Sequence, residues 1–104
     1  MKRFDIYLTD LNPTIGREIK KIRPALIVSP DDLNDEIDTV IIAPMTTQIR
    51  KWPTRVLVNF ADKEGQVMLD QIRVIDKKRL KKKLGHLQGA VTNQILKKLR
   101  EIFS

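Results

Sequence analysis

The 104-residue chain contains no cysteine and a single histidine, His86. Without thiols there is no disulfide scaffold and no thiolate nucleophile, and a lone imidazole excludes zinc sites built from the common ligand sets. No apolar run approaches the ~20 residues that a bilayer-spanning helix needs. The opening Met1-Lys2-Arg3-Phe4-Asp5 puts an aspartate where a secretory leader would be apolar. A soluble cytoplasmic protein is therefore expected. Any catalysis has to draw on Arg, Lys, Asp, Glu, Thr, Ser, Tyr or His86.

What is present suits one small domain over residues 1–104. At 41% hydrophobic and 32% charged residues, the chain can build a modest core, and cores of this size are often supplemented by oligomerisation. The net charge of +7 is unevenly placed. Residues 1–76 carry 11 Lys/Arg against 12 Asp/Glu, whereas residues 77–104 carry 9 against 1. A basic face of this kind fits a polyanion such as nucleic acid, an acidic protein partner, or solubility alone.

Hydrophobic periodicity divides the chain. Phe4–Asp10 alternates like a half-buried strand, and Leu11–Gly16 breaks it with turn formers. Arg17–Arg23 is a basic loop. Pro24–Ser29 and Thr39–Met45 are continuously apolar, as strands buried on both faces are. Between them lie Asp31, Asp32, Asp35, Glu36 and Asp38. Their spacing lacks the glycine and final glutamate of a calcium loop, so Asp31 or Asp32 capping a short helix is the favoured reading. Thr46–Pro53 is a polar extension, Thr54–Phe60 a strand, Ala61–Gly65 a turn and Gln66–Ile75 one further strand. About five short strands point to a small barrel or strongly bent antiparallel sheet. The last third changes period. Asp76 is predicted to cap a helix that runs to Leu84 and stops at Gly85. A second helix over Ala90–Phe103 carries an apolar stripe of Val91, Ile95, Leu99 and Ile102, with Leu96 and Phe103 beside it.

The ordered set of segments resembles the MazF/PemK toxin family across nearly the whole chain. Asp5-Ile6-Tyr7-Leu8-Thr9-Asp10-Leu11-Asn12-Pro13-Thr14-Ile15-Gly16 is similar to the family's opening strand and loop. Arg23-Pro24-Ala25-Leu26-Ile27-Val28-Ser29-Pro30 resembles its second strand, and Ile42-Ala43-Pro44-Met45-Thr46-Thr47-Gln48 its third. Pro53-Thr54-Arg55-Val56 and Leu69-Asp70-Gln71-Ile72-Arg73-Val74-Ile75-Asp76 match two more blocks. The resemblance implies a mainly β fold of the CcdB/MazF type, a small bent antiparallel SH3-like barrel with a C-terminal helix, assembled as a homodimer. It also implies a toxin that cuts single-stranded RNA with no metal or other cofactor, neutralised by a cognate acidic antitoxin.

Such cleavage can use the substrate's own 2′-hydroxyl, leaving a 2′,3′-cyclic phosphate and a 5′-hydroxyl. It needs a proton acceptor, a proton donor and cations around the phosphorane. By resemblance Arg23 is the catalytic arginine, and its planar fork suits a bidentate phosphate clamp better than a base. Thr46 matches the catalytic threonine, although a strand-end threonine can equally satisfy local backbone. Asp70 matches an acidic position used as general base by some members, with an ion pair to Arg73 or Arg23 as the alternative. Arg17, Lys20, Thr47, Gln48, Gln71 and Arg73 are candidate groove residues. Trp52, beside Arg50 and Lys51, either stacks on bases or covers the core edge or a dimer interface.

Two departures stand out. Arg17 occupies a position where PemK-type members can have a catalytic histidine, and Phe4 replaces a glycine, where its ring could alter the neighbouring loop or stack on a base. His86 lies outside the matched catalytic blocks despite a side chain suited to acid–base work. Two rivals share the barrel architecture, a gyrase-directed inhibitor and a non-catalytic nucleic-acid-binding protein. Arg23-Pro24 together with Pro44-Met45-Thr46 favours the nuclease.

Overall fold

The structure, a computed structural model, describes residues 1–12 and 22–104. The expectations for Pro13, Gly16, Arg17 and Lys20 lie outside those residues. The elements are β1 (Asp5–Asp10), β2 (Ile22–Ile27), α1 (Asp31–Glu36), β3 (Thr39–Thr46), β4 (Arg55–Phe60), β5 (Lys63–Met68), β6 (Arg73–Asp76), β7 (Leu80–His86) and α2 (Ala90–Ile102).

The seven strands form one antiparallel sheet in the order β4-β5-β3-β2-β1-β7, with β6 paired to β3. β3 organises it. One edge pairs with β2, while the other pairs with β6 along Thr39–Ile42 and with β5 at Met45–Thr46. The apolar runs of β2 and β3 are explained by burial on both faces. Leu26, Ala43 and Met45 join a core under α2, while Ala25, Ile27, Val40 and Ile42 join a second core on the opposite face. The expected mainly β fold with a C-terminal helix is borne out as a curled, half-barrel sheet.

Three expectations within the sheet are corrected. The single strand over Gln66–Ile75 is interrupted by a 3₁₀ turn at Leu69–Gln71. The chain stays alongside β3, but the three turn residues bulge out of the ladder before pairing resumes at Arg73. The Ala61–Gly65 turn tightens to Ala61-Asp62, both at positive φ (54° and 60°), because two-residue hairpin turns match the strands' twist in that conformation. The third concerns residues 76–84, which form no α-helix. Asp76 does cap, accepting from the Lys78 N–H, but only over a 3₁₀ turn, after which β7 pairs with β1. Leu80 and Leu84 are four apart, a spacing that serves a helix face and a strand face alike. Two register shifts between β1 and β7 break the strand's alternation, leaving Lys81, Lys82 and Lys83 all exposed on a sheet edge. Gly85 is needed there because a Cβ would come within 2.6 Å of the Phe60 ring.

The carboxylate-rich segment is a short helix whose N-cap is Pro30 rather than Asp31 or Asp32. Asp31 instead accepts from the Arg3 N–H at 2.6 Å. In α2, Ile95 is fully buried with Val91 and Leu99 beside it, while Ile102 and Phe103 are exposed at 38% and 70%. The predicted stripe is thus apolar core for two turns and open surface at its end.

Phe4 has φ 73°, in the left-handed region that favours glycine. Its N–H donates to the Ile27 carbonyl (2.7 Å) and its carbonyl accepts from the Leu87 N–H (2.9 Å), so the conformation is held from both sides. Its ring packs against the main core, with the Arg3 guanidinium 5.9 Å from its centroid. Phe4→Ala keeps the strained backbone and loses the ring, whereas Phe4→Gly loses the ring and the strain together. In urea denaturation the glycine variant is expected to be the more stable of the two by about 1 kcal/mol, the reverse of the usual Ala–Gly order.

Candidate active site

Ala25 pairs with Pro44, and Ile27 with Ile42. Carried two residues further, the same register sets Arg23 opposite Thr46 on one face of the sheet. On its other side Arg23 pairs with Thr9 of β1, so its half-buried backbone is held between neighbouring strands. Two segments far apart in sequence therefore bring a guanidinium and a hydroxyl to the same place.

A cleft of about 590 Å³ opens there, lined by Arg23, Thr46 and Thr47 together with the tip of the β4–β5 hairpin. Pro24, Met45, Phe60 and Leu84 give it an apolar wall. The Thr46 hydroxyl accepts from the Gln48 N–H at 3.1 Å, which holds the oxygen and leaves its O–H to donate elsewhere. Gly65 lets the hairpin approach this strand end, since a Cβ there would lie 2.7 Å from the Thr46 carbonyl oxygen. Buried Gln66 pins the following loop, donating to the Arg50 carbonyl (2.7 Å) and accepting from its N–H (3.0 Å). Lys63 and Glu64 also line the cleft, and sequence reasoning did not single them out. Their only signal was the hairpin turn beside them, which says nothing about the surface it will face.

The remaining candidates are more dispersed. Gln48 is exposed in the loop beyond Thr47. Arg73 donates from Nη1 to the Leu11 carbonyl at 3.1 Å, a tie between the second core and the segment after β1. Gln71 is half-buried in the 3₁₀ excursion. Asp70 pairs with neither Arg73 nor Arg23. Its partner is Arg55, at 2.8 Å from Nε and 3.3 Å from Nη2, with the Thr54 hydroxyl donating at 3.0 Å. Asp70 is not among the described residues that line the cleft. Within the basic run, Lys77 donates to the Asn34 carbonyl and Arg79 to the carbonyls of Asp10 and Asn12, so both are structural ties.

His86 lies on a neighbouring cavity, and its Nδ1 is 2.7 Å from the carboxylate of Asp5. Asp5 is 2% exposed, accepts from the Lys2 N–H at 2.8 Å and lies 3.5 Å from the Lys83 ammonium. This cluster clamps the start of β1 to the end of β7 and does not border the Arg23–Thr46 cleft. Among the described residues no three His, Asp or Glu side chains converge as metal ligands would.

Residues 2–103 match the family described as PemK-like, MazF-like toxin of type II toxin-antitoxin system. The chain belongs to that family. An endoribonuclease MazF from Staphylococcus saprophyticus is 40% identical over 98% of this chain and 84% of its own length. The crystal structure of MazF from Deinococcus radiodurans superposes with a TM-score of 0.87 at 23% identity, covering 99% of this chain and 96% of that one, and so supports the fold. A mycobacterial endoribonuclease in complex with its cognate antitoxin is 29% identical, with a TM-score of 0.84 over 99% of this chain and 94% of its own.

Burial pushes the Asp5 carboxyl up, but the hydrogen bonds from His86 and the Lys2 N–H, with the nearby charges of Lys83 and His86, outweigh it and leave it below its ordinary value. A carboxyl lowered in the folded state stabilises the toxin above its unfolded pKa, and that contribution disappears as pH falls through the folded value. Urea denaturation from pH 7 to pH 2.5 is expected to show a steep acid loss of stability that is shallower in Asp5→Asn. At pH 7 that variant is expected to be about 1–3 kcal/mol less stable.

Proposed function

We propose that this toxin is an endoribonuclease that cuts single-stranded RNA by intramolecular transesterification and requires no metal ion. The 2′-oxygen bonds to phosphorus, the bond from phosphorus to the 5′-oxygen breaks, and the proton lost from the 2′-hydroxyl is matched by one gained at the leaving oxygen. The observation that carries the proposal is that Arg23 and Thr46, from two segments far apart in sequence, line one cleft.

In this reading the Arg23 guanidinium holds two phosphate oxygens and offsets the charge that develops on the phosphorane. The Thr46 O–H, its oxygen already held by the Gln48 N–H, donates to one of the same two non-bridging oxygens. Lys63 adds a second cation. Of the two carboxylates in question, Glu64 lines the cleft and Asp70 is engaged by Arg55, so Glu64 is the better placed proton acceptor. Single strands suit a cleft of this kind because their bases can splay out to be read.

Family membership and the antitoxin-bound mycobacterial relative support a cognate antitoxin as partner. The basic balance of residues 77–104 fits an acidic one. A homodimer of the MazF type and action on mRNA in the cytoplasm complete the reading. No helix among the described residues is long and apolar enough to cross a membrane.

The test is cleavage of a long unstructured RNA in excess EDTA. Short-motif cleavage is expected, with kcat reduced by about 10²–10³-fold in Arg23→Ala and in Thr46→Val. Glu64→Gln is expected to lower kcat by at least about 10²-fold. Intact RNA with folded, antitoxin-free protein would overturn the reading, and saturable RNA binding without cleavage would replace it with a binding barrel.

A further inference from the structure

Trp52 is the chain's only tryptophan and is 51% exposed. One face of its ring is occupied, since the Arg55 guanidinium carbon lies 4.5 Å from the ring centroid. Arg55 is itself held from behind. Its side chain is 6% exposed, and Nε and Nη2 donate to the two carboxylate oxygens of Asp70 at 2.8 and 3.3 Å. The Thr54 hydroxyl donates to the same carboxylate. Backbone bonds close the unit, from Arg55 N–H to the Trp52 carbonyl (3.1 Å) and from Leu69 N–H to the Thr54 carbonyl (3.0 Å). Leu69, 1% exposed, anchors the excursion that carries Asp70.

An indole backed by a cation on one face and half exposed suits a stacked nucleobase, because stacking on an aromatic needs no particular base edge. Arg50 and Lys51 are exposed beside it, with charge of the sign that attracts phosphates. The loop that starts at Thr47, in the cleft, runs directly to Trp52 and is pinned at Arg50 by Gln66. Cleft and indole therefore belong to one held segment.

We infer that Trp52 is a stacking platform for a base flanking the scissile phosphate, with Arg55 and Asp70 as the positioning residues that hold it. The inference rests on the ribonuclease reading above. It explains why Asp70 is engaged by Arg55 and does not line the cleft, since its carboxylate neutralises and orients the guanidinium under the ring. Stacking grows with ring area, so a purine is preferred over a pyrimidine at the platform position.

The single tryptophan makes the test direct. A 2′-O-methyl RNA, which lacks the nucleophile and stays intact, is titrated into the full-length toxin while Trp52 emission and RNA anisotropy are recorded together. Quenching is expected to saturate with the anisotropy. An abasic nucleotide walked through the flanking positions is expected to abolish the quench at one of them and weaken binding there about ten-fold. In cleavage assays the loss in Trp52→Ala and Asp70→Asn falls on KM rather than kcat, and Trp52→Phe restores most of it. Three results overturn the inference. One is anisotropy that saturates with unchanged emission. Another is an Asp70→Asn defect confined to kcat. The third is free-protein emission already blue-shifted and unresponsive to RNA, as when a second copy covers the indole. Motif-specific cleavage without quenching removes the platform alone, whereas neither binding nor cleavage removes the ribonuclease reading with it.

Discussion

Side chains alternate across a strand, so a pairing slip of one residue exchanges every side chain between the two faces of a sheet. β2 and β3 are buried on both faces, and each face has its own core. A slip would push Ala25, Ile27, Val40 and Ile42 out of one core and Leu26, Ala43 and Met45 out of the other. The register Ala25–Pro44 is therefore specified twice over. Arg23 and Thr46 lie at the open end of this ladder, where the packing that sets their relation is two residues away. The site's geometry follows from the core, and its chemistry is free of the core's demand for apolar residues.

The same frame explains how the charged groups divide. Asp5, Asp31 and Asp70 each take part in identified hydrogen bonds that tie one segment to another, and Asp76 caps its own turn. Lys77 and Arg79 are tied to backbone carbonyls, and Arg73 bridges to Leu11. Lys81 and Lys82 remain exposed on the β7 edge, as do Arg50 and Lys51 beside Trp52. These carboxylates are thus committed to holding the fold, while exposed cations are left on the surface. The net charge of +7, concentrated in residues 77–104, then favours encounter with a polyanion.

Much of this was legible in the chain itself. The apolar runs of β2 and β3, the alternation of β4 and the Val91–Ile95–Leu99 stripe reflect direct burial, which periodicity records, whereas β1, paired on both edges, buries the polar Asp5 and Thr9 as well. What was not legible depends on neighbours distant in sequence. Leu80 and Leu84 fit two periods equally, and only pairing with β1 and the Phe60 ring against Gly85 decide for a strand. The excursion at Leu69–Gln71 leaves no mark in an otherwise strand-like run. Arg23, Thr46 and Thr47 line one cleft, and Lys63 and Glu64 enter it through a hairpin whose own sequence carries no sign of the destination. Asp70 and Trp52 stand out in the sequence, whereas Arg55, which links them, shows there only as part of a strand and of the Pro53–Val56 block.

The central claim is that the substrate supplies its own nucleophile, and that Arg23 and Thr46 stabilise the charge this creates. It is tested most directly with a short RNA holding one cleavage motif, in excess EDTA, in which a single 2′-hydroxyl is replaced by hydrogen at the nucleotide before the scissile bond. That RNA is expected to bind as the unmodified one does and to remain intact, while the unmodified RNA yields a 2′,3′-cyclic phosphate and a 5′-hydroxyl. Cleavage of the substituted RNA at the same bond would show that water or a protein group attacks instead, and would contradict the account.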